Sequence, residues 1–148
     1  MNNKYYSSER NVQILLAIMK ANGIRKVVAS PGTTNIGFVG SIQNDPYFEV
    51  YSSVDERSAA YMACGLAAES GEPVALSCTM STASRNYIPG MTEAYYRKLP
   101  IVAVTSFSGL DKIGHLTYII HSGFISGYQN RYGDNLKPPT NVYHRMTA

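Results

Sequence analysis

The chain has 148 residues, of which 45% are hydrophobic and 16% charged, enough to bury one ordinary globular core. Its formal net charge of +3 comes from 13 basic and 10 acidic residues without a sustained run of either sign, which excludes the basic footprint of a nucleic-acid-binding protein. Two cysteines make no disulfide framework, the amino terminus lacks the apolar core of a signal peptide, and no apolar run approaches the roughly 20 residues of a membrane span. The sequence predicts a soluble, cytoplasmic protein without nucleic-acid or membrane partners.

The first predicted elements are a helix and a buried strand. Apolar side chains recur on one stripe over residues 8–22, with Ser7 or Ser8 able to cap the helix and Gly23 to end it. The β-branched run RKVVAS then predicts a strand that ends at Ser30, where the tight loop PGTTN begins.

A second helix and strand lead to the longest predicted helix. We expect a short helix over 35–42 and a strand within YFEVYSSV, residues 47–54. Asp55 then begins a helix that runs to about Ser70, and Gly71 ends it.

The remaining pattern predicts two more strands around one helix. PVALSC reads as a strand, TMSTAS as a loop of small residues, and PIVAVTSF as a fourth strand. Between the last two we expect a helix over 84–97, kinked at Pro89.

This alternation predicts an α/β fold in three layers, with a parallel central sheet and helices on both faces. Parallel strands are covered on both faces, which explains the nearly continuous apolar runs VVAS, PVALSC and PIVAVTS. Ligands of such sheets bind beyond the carboxyl ends of the strands. Glu56 follows the second strand, so we expect it at this edge.

Glu56 has two interpretations from the residues alone. A glutamate in the first turn of a helix complements the helix dipole, which is a structural role. Its position at a strand's carboxyl end, followed by Ala59, Ala60 and Ala63, also leaves room for a ligand. A carboxylate buried there against a ring nitrogen could share a proton, because desolvation raises its pKa.

Other candidate groups carry little chemistry individually. Hydroxyl side chains at the predicted edge are usually caps and turn formers; they are Ser30, Thr33, Thr34, Ser81, Thr82 and Ser84. Neither a dinucleotide glycine fingerprint nor a P-loop occurs. The histidines, at 115, 121 and 144, suit no common zinc spacing, so we expect no metal ligands on this chain.

Two segments in order, SPGTTN and SSVDERSAAYMACGLAAESGEPVALSCTMSTASRNYIPGMTEAYYRKLPIVAVTS, carry a family resemblance. Over roughly residues 8–106 the chain resembles the N-terminal pyrimidine-binding domain of thiamine diphosphate-dependent enzymes. Acetolactate synthase, the 2-oxo acid decarboxylases and the succinyl-transferring synthase of menaquinone biosynthesis share this domain.

The resemblance implies a catalytic role for Glu56 and a cofactor. The matching glutamate of the family hydrogen-bonds N1' of the aminopyrimidine and promotes the imino tautomer, which removes the C2 proton of the thiazolium ring. Asp55 would be a helix cap and Arg57 a surface or interface charge. Residues expected next to the substrate are Pro31, Gly32 and Thr33. Residues expected along the cofactor's pyrimidine, besides Glu56, are Thr79, Met80, Ser81, Thr82 and Ser84.

The chain also departs from the family pattern. TMSTASRN stands where many relatives have a Gly-Pro-Gly-type loop, and Thr33-Thr34 replaces the arginine of the menaquinone-pathway synthase, which argues against an isochorismate-type acceptor. No diphosphate domain with its magnesium motif is present, so thiamine diphosphate would be held here by its pyrimidine end only, with Mg²⁺ on a partner domain.

These departures leave the organisation open. We expect a pyrimidine-binding domain over 1–110 and an unassigned tail over 111–148, in either a split subunit or a truncated product with a non-native continuation. The partner would be a second copy or a separate diphosphate-binding domain, and the substrate a small, pyruvate-like 2-oxo acid. The alternative is a non-catalytic dimerisation or interaction module that uses the EAYYRK helix, with Tyr95, Tyr96 and Arg97 at the interface.

Overall fold

A computed structural model describes residues 6–80 and 82–106, which form five helices, a 3₁₀ turn and four strands. The helices are α1 (Arg10–Ala21), α2 (Ile36–Asn44), α3 (Glu56–Ser70), α4 (Thr82–Asn86) and α5 (Ile88–Arg97). The strands are β1 (Lys26–Ala29), β2 (Glu49–Ser52), β3 (Val74–Cys78) and β4 (Ile101–Thr105), and the 3₁₀ turn (Thr33–Asn35) precedes α2. None of these helices is long and apolar enough to cross a lipid bilayer. The tail over 111–148 and the boundary at 110 lie outside the described residues and stay predictions.

The strands form one parallel sheet in the order β2-β1-β3-β4, which confirms the predicted fold class. Val27 of β1 lies opposite Val50 of β2 on one side and Ala75 of β3 on the other. Every residue of β3 is buried, as a continuous apolar run requires when helices cover both faces of a strand. β2, at one edge, is more exposed.

Helices cover both faces of the sheet, as the sequence predicts. The face under α3 and α5 has a core of small and medium side chains: Val28, Ala59, Ala60, Ala63, Ala67, Val74, Leu76, Cys78, Ala83 and Tyr87. The face under α1 and α2 has a second core: Met19, Ile24, Val27, Ala29, Phe38, Val39, Ile42, Phe48 and Ala75. Consecutive residues of β1 alternate between the two cores because successive strand side chains point to opposite faces.

The start of α1 differs from the prediction, and its end agrees. Glu9 occupies the cap position and makes no side-chain cap hydrogen bond, so the expected cap by Ser7 or Ser8 is wrong. Ser7 instead ties the segment to α2: its amide donates to Ser41 Oγ at 2.9 Å and its Oγ accepts from the Glu9 amide at 3.2 Å. Gly23 follows α1 with φ of 70°, a left-handed conformation that favours glycine.

The predicted single helix over 84–97 is two helices, α4 and α5, with Tyr87 between them. Pro89 lies in the first turn of α5, where its missing N–H removes no helical hydrogen bond, so it starts a helix instead of kinking one. The expected loop TMSTAS is also partly wrong, because Thr82 begins α4. Small polar residues favour helix starts as well as loops, which makes the two hard to distinguish by composition.

Candidate functional site

The loops that follow the strands emerge side by side at the carboxyl edge of the sheet. Three backbone hydrogen bonds carry the pairing one residue past the strands: Ser30 N to Ser77 O (2.7 Å), Ser53 N to Ala29 O (3.0 Å) and Ser106 N to Cys78 O (3.2 Å). This is the edge at which open parallel sheets bind their ligands.

The loop after β1 is held by the buried side chain of Asn35. Its Oδ1 accepts from the Gly32 amide at 2.8 Å, and its Nδ2 donates to Ser30 O at 3.1 Å and Ser77 Oγ at 3.2 Å. A Cβ on Gly32 would collide with the Thr79 side chain. The loop therefore lies directly against the segment that follows β3.

Asp55 and Glu56, at the start of α3, have different environments. Asp55 caps the helix, since its Oδ2 accepts from the Ser58 amide at 2.7 Å, and this backbone hydrogen bond lowers the pKa of Asp55. This confirms its predicted capping role. Glu56 is half-buried, and Ala59 and Ala60, three and four residues on, are fully buried. Because residues at this spacing share a helix face, Glu56 lies on the face of α3 that covers the sheet.

Three polar side chains are buried directly after β1, at the end of β3 and between α4 and α5: Ser30, Cys78 and Tyr87, which we call the Ser30–Cys78–Tyr87 cluster. Burial raises the pKa of the Cys78 thiol to about 12, and the negative charge of Glu56 acts in the same direction. Burial also raises the pKa of Tyr87, with Cys78 and Glu56 adding to the effect. Both groups are neutral at physiological pH, and both belong to the buried core under α3 and α5.

The other predicted cofactor residues fall on two elements. Thr79 and Met80 are half-buried directly after β3. On α4, Thr82 is exposed and Ser84 is buried, whereas Ser81 lies outside the described residues. Of the residues predicted next to the substrate, Pro31 and Thr33 are exposed and Gly32 contacts Thr79. The roles of all these residues stay predictions.

Arg57 is exposed, as predicted for a surface charge, and its Nη2 donates to Asn86 Oδ1 at 3.4 Å. This contact links the start of α3 to the end of α4. Cys64 and Cys78 are buried and unpaired. Within residues 6–80 and 82–106, no three His, Cys, Asp or Glu side chains lie together in a way that could hold a metal ion.

Sequence reasoning missed Asn35, Tyr87 and the Thr34–Ser106 pair, whose hydroxyl oxygens lie 2.6 Å apart. The position of Asn35, three residues after Gly32, is a recognisable signal, because asparagine side chains often bind nearby turn amides. Tyr87 gave no signal, since a tyrosine between two helical segments is usually a core residue. The Thr34–Ser106 contact joins residues 72 positions apart, which only the sheet order brings together.

Residues 10–129 match the family model described as the thiamine pyrophosphate enzyme, N-terminal TPP-binding domain. The chain belongs to this family. The predicted resemblance to the pyrimidine-binding domain is confirmed, and thiamine diphosphate is the cofactor for which the family is named. The match extends 19 residues past the predicted boundary at 110.

Three curated relatives of this TPP-binding domain are named 2-succinyl-5-enolpyruvyl-6-hydroxy-3-cyclohexene-1-carboxylate synthase. The Porphyromonas gingivalis protein is 48% identical over 101 residues, and the Bacteroides thetaiotaomicron protein is 43% identical over 101 residues; each match covers 68% of this chain and 18% of the relative. The Christiangramia forsetii protein is 38% identical over 141 residues, which cover 95% of this chain and 24% of the relative. The chain spans about a fifth of the length of these relatives.

Solved structures support the fold assignment. The Rhodococcus jostii thiamine diphosphate-dependent 4-hydroxybenzoylformate decarboxylase superposes with a TM-score of 0.64 at 20% identity, over 72% of this chain and 20% of that one. Benzoylformate decarboxylase from Polynucleobacter necessarius gives 0.62 at 19% identity, over 70% of this chain and 19% of that one. At these identities the likeness establishes the fold alone.

Proposed function

We propose that this TPP-binding domain is the pyrimidine-binding portion of a synthase that decarboxylates a 2-oxo acid, and that Glu56 is its proton-handling group. One observation carries the proposal: a half-buried carboxylate lies at the carboxyl edge of the sheet, on the face of α3 that covers Cys78 and Tyr87. Membership of the family indicates the cofactor, and the position of Glu56 offers a carboxyl group that could bind a ring nitrogen of that cofactor.

The residues at the edge fit an aminopyrimidine. A nitrogen of such a ring carries an N–H only after it has taken up a proton, so the ring needs a carboxyl group that accepts from this N–H, together with flat, largely apolar walls such as small-molecule sites generally provide. Glu56 would accept from the ring nitrogen, while Thr79 and Met80 would form a wall that Gly32 approaches closely. When bound, thiamine diphosphate supplies the electron sink that stabilises the carbanion left by decarboxylation.

The two adjacent carboxylates, Asp55 and Glu56, have different proposed roles. The Ser58 amide lowers the pKa of Asp55, so this carboxylate stays ionised and caps α3. Glu56 has no such backbone donor among the described hydrogen bonds and is half-buried at the edge of the sheet, so we assign it to the ligand. A carboxyl group so placed can hold a proton at the ring nitrogen and return it.

The names of the relatives suggest the substrate class. Their product carries a succinyl group, and decarboxylation of a 2-oxo acid leaves such a group only when the donor is a five-carbon 2-oxo dicarboxylic acid. We extend this donor class to the present chain as part of the proposal. This donor differs from the small, pyruvate-like acid expected from the sequence. Thr33-Thr34, in place of the arginine of the menaquinone-pathway synthase, still argues that this chain binds its acceptor through different contacts.

The site also needs a partner. We propose that a diphosphate-binding domain, on a second polypeptide or elsewhere in a longer one, holds Mg²⁺ and the diphosphate end of the cofactor. The helices α3 and α5 pack on each other, and both leave large apolar side chains exposed; these are Tyr61, Met62, Ile88, Tyr95 and Tyr96. Exposed aromatic side chains are enriched at interfaces, which supports a protein partner or a second copy on these helices. A purely non-catalytic interaction module would use the same surface without Glu56.

Glu56→Gln in the assembled enzyme tests the proposal, with a five-carbon 2-oxo dicarboxylic acid as donor. The amide keeps the shape of the side chain but cannot take up the proton, so we expect the decarboxylation rate to fall at least about a hundredfold. Glu69→Gln, on an exposed position of the same helix, is the matched control and should retain the full rate. A Glu56→Gln enzyme with unchanged circular dichroism and normal activity would refute the role of Glu56 and favour the interaction module.

A further inference from the structure

Two buried hydroxyl groups of the Ser30–Cys78–Tyr87 cluster make no hydrogen bond within the described residues. They are Ser30 Oγ and Tyr87 Oη, on residues only 3% and 2% exposed. An unsatisfied buried hydroxyl costs about 1–3 kcal/mol, and a phenylalanine would fill the place of Tyr87 without that cost. Packing therefore explains the ring of Tyr87 and leaves its hydroxyl unexplained.

The two hydroxyls converge on one place. Ser30 comes two residues after Val28, whose side chain belongs to the core under α3 and α5, so Ser30 points to the same face. Its amide donates to Ser77 O, which sets Ser30 beside Cys78 on the neighbouring strand. Tyr87, between α4 and α5, belongs to the same buried core as Val28 and Cys78.

Glu56 is the charged side chain that borders this group. It begins α3 on the face that carries Ala59 and Ala60, which share a core with Cys78 and Tyr87. The next residue, Arg57, donates to Asn86, which directly precedes Tyr87, at 3.4 Å. The Cys78 thiol already donates to Thr79 O at 3.1 Å. Within the described residues, Ser30 Oγ and Tyr87 Oη are thus the buried side-chain oxygens without a hydrogen-bond partner, and a carboxylate is an acceptor that two or more donors can satisfy.

We propose that Tyr87 is a positioning residue for Glu56. After a change of the Glu56 rotamer, the Tyr87 hydroxyl donates to one carboxylate oxygen and accepts from the Ser30 hydroxyl. The other carboxylate oxygen is then aimed at the ring nitrogen of the aminopyrimidine. This inference rests on the proposed role of Glu56 and adds the groups that orient it.

The test is a double-mutant cycle in the assembled enzyme, with Tyr87→Phe made alone and together with Glu56→Gln. The main readout is the rate at which the C2 hydrogen of bound thiamine diphosphate exchanges with deuterium, measured by acid quench and NMR. Steady-state kcat and KM and the melting temperature are recorded beside it. Ser30→Ala tests the second hydroxyl, and Tyr47→Phe, on the opposite face of the sheet under α1 and α2, is the matched control.

We expect Tyr87→Phe to slow exchange and lower kcat about tenfold, the loss of one hydrogen bond to a charged group, with KM nearly unchanged. Ser30→Ala should have a smaller effect in the same direction, and Tyr47→Phe none. The melting temperature of Tyr87→Phe should be unchanged or higher, because an unsatisfied hydroxyl has been removed. In the Glu56→Gln background, Tyr87→Phe should change exchange less than twofold.

Three results would overturn the inference in distinguishable ways. Normal exchange in Tyr87→Phe, with slow exchange in Glu56→Gln, refutes the positioning role and leaves the proposed function intact. An equal loss from Tyr87→Phe with and without Glu56→Gln shows that the hydroxyl does not act through Glu56. Normal exchange in Glu56→Gln itself refutes the proposed function and the positioning role together.

Discussion

Gly90 of α5 sits where the structure leaves no space for a side chain. A Cβ at this position would lie 2.5 Å from Ala60 Cβ and 2.9 Å from the Ala60 carbonyl carbon, which belongs to the backbone of α3. Overpacking a core typically destabilises by about 1–3 kcal/mol, and contact with backbone favours the upper end of that range. Alanine regains about 1 kcal/mol of helix propensity over glycine. We therefore expect Gly90→Ala to lower the free energy of unfolding by about 2 kcal/mol.

Gly65 provides the matched control, because it lies on the exposed side of α3 and a Cβ there would meet nothing within 4 Å. Gly65→Ala should raise the free energy of unfolding by up to about 1 kcal/mol through helix propensity alone. Urea denaturation followed by far-UV circular dichroism measures both variants on the same scale. Equal shifts in the same direction would refute the close packing of α3 and α5 described here.

Three further predictions concern the edge of the sheet. The Ser58 amide lowers the pKa of Asp55 in the folded state, so this carboxylate stabilises the fold fully above its unfolded pKa of about 3.9. The stabilisation is lost as the pH falls from there through the folded pKa. Urea midpoints measured against pH should lose this acid-dependent component in Asp55→Ala, and a pH profile identical to that of the wild type would contradict the cap. Gly32→Ala should weaken cofactor and substrate binding by displacing the loop from Thr79, and Thr79→Ser in the same protein should restore binding by removing the colliding methyl group; failure of this rescue would show that the two segments do not touch as described. Calorimetric titration of the chain with thiamine diphosphate and Mg²⁺ should show tight binding only when a diphosphate-binding domain is present, and tight binding by the chain alone would contradict the need for that partner.

Local patterns were sufficient for most of the fold. The limits of α3 followed from Asp55 as a cap and Gly71 as a left-handed end, both of which the structure confirms. The parallel sheet followed from continuous apolar runs such as the one in β3, because only strands covered on both faces have such sequences. Glu56 could be placed at the carboxyl edge for the same reason.

The parts that sequence could not give depend on contacts between distant segments. The break between α4 and α5 lies at Tyr87, which shares a buried core with Ala59 and Ala60 of α3, and Pro89 alone does not distinguish the start of a new helix from a kink. The prediction that Ser7 caps α1 was wrong, because the Ser7 Oγ accepts from the Glu9 amide and the Ser7 amide donates to Ser41, 34 residues away. The convergence of Ser30, Cys78 and Tyr87 likewise needs the strand order and the face of each strand.

The most direct test of the central claim is the rate of C2 hydrogen exchange in thiamine diphosphate bound to the assembled enzyme, compared between wild type and Glu56→Gln. The exchange reports proton handling at the cofactor before any substrate binds, so it isolates the role assigned to Glu56. We predict exchange about 10²- to 10⁴-fold slower in Glu56→Gln, with cofactor still bound and the fold unchanged. Exchange at the wild-type rate in a fully loaded Glu56→Gln enzyme would contradict the account.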